Sequence, residues 1–149
     1  MIATEPTLES LTLQITQEIR VRATLADTFE ALLEQLGPGN ETHEGKAMPM
    51  TLEARPGGRW FRDLGAEDGH LWGHVQAIKR PTLLEITGPL FLSYAVVSNV
   101  QYRLQEQEGG TLITLRHQAL GFIPDDIRKG MRLGWASILE RARKRAEVQ

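Results

Sequence analysis

Between residues 11 and 22 apolar and polar side chains alternate: Leu11, Leu13, Ile15, Ile19 and Val21 on one face, Thr12, Gln14, Thr16, Glu18 and Arg20 on the other. Period two over this length predicts a strand with one buried face. The period then changes. Thr24 and Asp27 have the spacing of a capping box, and Leu25, Phe29, Leu32, Leu33 and Leu36 recur as one helical stripe that ends at Gly37-Pro38-Gly39. Beyond a polar loop, residues 40–47, the pattern returns to short apolar runs separated by turn residues. Six more strands are expected: Met50–Ala54, Arg59–Leu64, His70–Ile78, Leu83–Thr87, Tyr94–Gln105 and Thr111–Ala119. Pro56-Gly57-Gly58 reads as a tight hairpin, and Gly65–Gly69, Pro81, Gly88-Pro89 and Gly109-Gly110 mark the other breaks. Spacing this short implies a mostly antiparallel sheet.

Pro124, Asp125 and Asp126 open a final helix, with acids at its positive dipole end. Ile127, Met131, Gly134, Trp135, Ile138 and Ala142 fall within an arc of about 100°, and Leu133 and Leu139 fall outside it. At ~1.5 Å per residue the helix is ~30 Å long, enough to cross a sheet. The expected fold class is α+β: a curved antiparallel sheet of about seven strands wrapped on a long C-terminal helix. Residues 1–10 are expected to be a flexible N-terminus and 11–149 a single domain. A bent sheet and a straight helix do not fill the space between them, so a groove or cavity is expected there.

The element order and several local motifs resemble the helix-grip superfamily (SRPBCC), which includes the birch pollen allergen, START domains and polyketide cyclases. Within it the chain is similar to the branch resembling the activator of heat-shock protein 90 ATPase. The resemblance covers about residues 13–146. It rests on Pro56-Gly57-Gly58-Arg59-Trp60, on Gly73-His74-Val75 with Pro81 downstream, and on Gly134-Trp135 followed by Ile138 and Leu139. Thr24 departs from the proline frequent in that family. The resemblance implies a fold and a pocket but no single activity, because ligand carriers, cyclase- or hydrolase-type enzymes and chaperone cofactors share the scaffold.

Composition narrows the function classes. Of 149 residues 41% are apolar and 24% charged, which fits a folded domain. The absence of cysteine excludes disulfides, thiolate metal sites and cysteine nucleophiles. No apolar run follows a basic start at residues 1–10, and the patch Leu90–Val97 is far short of a membrane span. A cytoplasmic protein without membrane insertion is therefore expected. Asn40-Glu41-Thr42 fits the glycosylation sequon and is read as a chance match. The net charge of −2 gives no reason to expect nucleic acid. Seven basic and two acidic residues from Ile127 onward make the last helix locally basic, read as a solvated face.

Candidate chemistry is sparse. Gly39–Lys46 has the wrong spacing for a phosphate loop, and Ala47 replaces its hydroxyl. His70 and His74 lie ~13 Å apart along a strand, too far for a shared metal unless both rings turn inward, even with His117 as a third ligand. Neither a metal nor another cofactor is expected. Ser93, Ser98 and Ser137 sit in no nucleophile elbow, and Asp125 and Asp126 diverge on the helix. What remains is a pocket lining of Trp60, Trp72, His74, Tyr102, His117, Met131 and Trp135, with His117 as a polar group in an apolar cleft. Gly130 and Gly134 remove volume beside it, leaving close helix–sheet contact or free space. A small hydrophobic or amphipathic ligand is the expected partner. An enzyme with His117 or His74 as general base, and a chaperone or second copy as partner, are the alternatives.

Overall fold

The computed structural model describes residues 5–148. A short 3-10 turn, Glu9–Leu11, precedes β1 (Thr12–Val21), α1 (Leu25–Leu36), β2 (Thr51–Leu52), β3 (Arg59–Gly65), β4 (Asp68–Lys79), β5 (Leu83–Gly88), β6 (Val96–Gln107), β7 (Gly110–Gly121) and α2 (Asp125–Glu147). The seven strands form one antiparallel sheet in the order β1-β7-β6-β5-β4-β3-β2, so the first and last strands are neighbours. This is the expected helix-grip α+β architecture. Residues 1–4 of the stretch expected to be flexible lie outside the described residues.

Local chemistry explains the element boundaries. The Asp27 amide donates to Thr24 Oγ1 at 3.1 Å, capping α1. At the other end of α1 the Trp60 indole donates to the Leu36 carbonyl at 2.8 Å, satisfying a carbonyl the helix cannot. The Pro-Gly-Gly segment is a wider loop than a two-residue hairpin: β2 pairs with β3 only over Thr51 and Leu52. Residues 57 and 58 lie against β4 instead, with Gly57 N–H donating to the Val75 carbonyl and Val75 N–H to that of Gly58, both at 2.8 Å. Gly58 is obligatory, since a Cβ there would overlap the Glu53 carbonyl.

The core runs along the concave side of the sheet, with Ile15, Leu84, Ile86, Val100, Ile113 and Leu115 from the strands and Phe29, Leu32 and Leu36 from α1. From α2 it takes Met131, Trp135, Leu139, Ala142 and Ala146. This buried stripe differs from the expected arc. Leu139 is 2% exposed, whereas Ile127 and Ile138 are only partly buried.

The free edge of β1 is covered by α2. Arg128 donates to the Thr12 and Ser10 carbonyls, each at 2.8 Å, and Arg132 to that of Gln14 at 3.3 Å. Unpaired edge groups that would otherwise recruit another strand are thereby occupied. Arg141, Arg143 and Arg145 also have partners within the chain. The basic face read as solvated is in large part internally bonded.

Candidate functional site

A cavity of about 530 Å³ lies between α2, the β3–β4 end of the sheet and the loop that follows α1. Its walls are mostly aromatic and aliphatic. Trp60 and Trp72 meet edge to face with centroids 5.0 Å apart, and Phe91 adds to them 5.9 Å from Trp72. Across from these stand Met131, Trp135 and Ile138 of α2. Phe91 and Leu133, both exposed, mark the mouth.

The two α2 glycines settle a choice the sequence left open. Gly130 and Gly134 both line the cavity, and a Cβ built on either meets nothing within 4 Å. Neither marks a close helix–sheet contact: half-buried Gly134 adjoins the cavity's free space, and exposed Gly130 lies toward solvent at its rim.

All three tryptophans turn their one polar atom away from this space. Trp60 donates to the Leu36 carbonyl, Trp72 to His70 Nδ1 at 3.1 Å, and Trp135 to His117 Nδ1 at 3.0 Å. The indole carbons are left as wall. Polar lining comes from Asn40, Glu41, Thr42, His43 and Arg141 at one end, and from Asp126 and Ser137 on α2. Arg141 donates to the Thr42 carbonyl at 3.0 Å and lies 3.8 Å from Glu41 Oε2, which holds the loop against the helix.

Of the seven expected lining residues, Trp60, Trp72, Met131 and Trp135 line the cavity. Tyr102 and His117 do not. Both are buried in the layer behind Trp135, whose ring centroid is 6.5 Å from that of Tyr102 and 5.3 Å from that of His117. His117 therefore supports the wall and is not a polar group within the cleft. Because an indole N–H only donates, His117 Nδ1 must be the acceptor and Nε2 carries the proton, directed at Ser98 Oγ 3.0 Å away. Burial lowers the His117 pKa to about 4, which keeps the ring neutral. The Tyr102 phenol pKa is pushed upward by the same cause.

His74 is a correction of face. Trp60 pairs with Gly73 and Phe61 with Leu71, so Trp72 is the extra residue of a β-bulge. The bulge shifts the alternation by one. Trp72 stays inside, Val75 points into the core, and His74 lies on the outer face beside Thr87. Neither histidine considered as a general base reaches the cavity. Among the described residues no group of three His, Asp or Glu side chains is placed to hold a metal ion.

Sequence reasoning missed the loop residues and Phe91. The loop after α1 has no periodicity to read. Asn40, taken there as a chance sequon, is only 4% exposed and is closed to glycosylation in the folded chain.

Comparison with known proteins bears on this site. Residues 22–146 match the model of the family described as Activator of Hsp90 ATPase homolog 1-like protein. The chain belongs to this family. No curated protein matches the sequence. Among solved structures, a protein from Rhizobium leguminosarum is 20% identical with a TM-score of 0.68, over 93% of this chain and 96% of that one. Ara h 8.0201 is 14% identical with a TM-score of 0.67, over 93% and 99%. The di-domain ARO/CYC protein StfQ of the steffimycin biosynthetic pathway is 13% identical with a TM-score of 0.65; the match takes in 95% of this chain and 51% of StfQ. Likeness at these identities shows that this Activator of Hsp90 ATPase homolog 1-like chain shares their fold, and function has to be argued from its site. No helix among the described residues is long and apolar enough to cross a membrane.

Proposed function

We propose that the chain binds a small hydrophobic or amphipathic molecule in the cavity between sheet and α2. One observation carries this reading. Gly134, half-buried in the interior of a 23-residue helix, adjoins empty space bounded by aromatic walls, and Gly130, exposed one turn earlier, lies at its mouth. Each glycine costs a helix roughly 1 kcal/mol relative to alanine. At Gly134 no neighbouring atom requires the missing side chain, so the stability given up there leaves only volume. The cavity size and its few polar groups fall in the ordinary range for small-ligand sites.

The test is Gly134→Leu, measured by displacement of the uncharged fluorophore N-phenylnaphthylamine and by thermal unfolding. A Cβ at residue 134 meets no neighbour and the cavity lies beyond it, so the variant is expected to melt near the wild-type temperature. It should lose at least about tenfold in affinity, since the added side chain occupies the guest's place. Wild-type affinity in a folded Gly134→Leu protein would remove the proposal.

Regulation of a chaperone ATPase, which the family's description brings to mind, has less to support it here. The basic face of α2 that would meet an acidic partner is engaged on the chain's own carbonyls and carboxylates.

A further inference from the structure

We infer that Asn40 is the polar anchor of the cavity and that the ligand is an uncharged amphipath: an apolar, preferably aromatic body carrying a neutral hydrogen-bond acceptor such as a ketone. This rests on the binding reading above and adds the ligand's chemistry and its orientation.

Asn40 lines the cavity and is 4% exposed, and its Nδ2 is buried without a hydrogen-bond partner. Its backbone is fully used, with N–H donating to the Gly37 carbonyl at 3.1 Å and its own carbonyl accepting from Met48 N–H at 2.9 Å. The residue is thus fixed in place while its amide has an open valence. An unpaired buried donor is costly, and a protein acceptor could have been supplied cheaply in a polar loop. Rotation about the Cβ–Cγ bond of asparagine is soft, so the donor can turn to a guest in the adjacent space.

Elsewhere the walls offer such a guest no polar contact from the indoles, because each N–H is tied behind them. An aromatic body therefore fits against Trp60, Trp72 and Trp135 with its acceptor toward Asn40.

Charge selects against an anion. Among the described lining residues Arg141 is the one cationic side chain of the Lys/Arg type, and its donors already meet Thr42, His43 and Glu41. Glu41 offsets its charge, and Asp126 adds a carboxylate farther along α2. A carboxylate guest would be desolvated without a free counter-charge.

The test uses three naphthalenes that differ only in one substituent: acetyl, isopropyl of nearly the same shape, and carboxylate. Affinities are read by N-phenylnaphthylamine displacement on the wild type and on Asn40→Leu. Acetylnaphthalene should bind the wild type about tenfold or more tightly than isopropylnaphthalene, with naphthoate weakest. On Asn40→Leu the two neutral naphthalenes should bind with equal affinity, the ketone preference being erased. Equal wild-type affinity for the ketone and its hydrocarbon isostere overturns the Asn40 anchor while the binding reading stands. Tighter binding of naphthoate than of the ketone overturns the uncharged ligand. If neither the fluorophore nor any naphthalene binds, the binding reading falls and takes this inference with it. The wild-type comparison decides the matter even if Asn40→Leu does not fold.

Discussion

His117 shows how one side chain links the core to the cavity wall. It is fully buried, and its neutral form alone can accept from Trp135. Protonation would place two N–H donors face to face. With a folded pKa of about 4 against the ordinary 6.5, the unfolded chain takes up the proton first as pH falls. The stabilisation is therefore complete above pH 6.5 and declines toward pH 4. Urea unfolding at pH 7 and pH 5 should differ by about 2 kcal/mol from this group, and His117→Gln should flatten that slope. Glu53 and Glu140 are held below the carboxylate range by hydrogen bonds from Arg59 and Arg143, so they act at lower pH. Parallel profiles for the wild type and His117→Gln would show that the slope has another source. At this scale the sequence was only partly legible. Alternation put Trp72 and His74 on one face, and a single extra residue reversed the second. The signal was Gly73, where a Cβ would meet the Thr87 carbonyl at 2.6 Å: a glycine inside a strand marks bulges and close backbone approaches.

At the scale of elements, the strands and both helices were legible because period and punctuation agree along the chain. The face of α2 was not. A helix that packs on the sheet with one flank and borders a cavity with the other carries apolar residues on both, and a single arc averages them. Leu139 belongs to the first flank; Ile127, Leu133 and Ile138 border the cavity. The same geometry predicts the response to alanine. Gly130→Ala and Gly134→Ala should each raise unfolding free energy by about 0.5–1 kcal/mol, from helix propensity and a less flexible unfolded chain. Denaturant titration of each variant checks this. A loss of stability at either position would mean that the space beside it is needed by the fold itself.

For the whole molecule, the order of elements was enough to place the last helix across the sheet and to expect a void beside it. The void's location was less legible, because it depends on where a short β2 and a non-periodic loop leave the sheet uncovered. The ligand-bearing state should be the more stable one. A guest at one hundred times its dissociation constant adds about 2.7 kcal/mol, so a binding naphthalene should raise the unfolding midpoint in proportion to the logarithm of its concentration. A midpoint indifferent to concentration, for a compound that displaces the fluorophore, would place that displacement outside the folded state.

The vacant flank of α2 has one more consequence. A Cβ at residue 130 or 134 meets no neighbour, so a small side chain would narrow the rim at the first and the chamber at the second without disturbing the packing around them. On the proposed binding reading, exchanging small side chains at these two places should change which guests fit. The strands, the guarded β1 edge and the histidine behind the wall need not change with them.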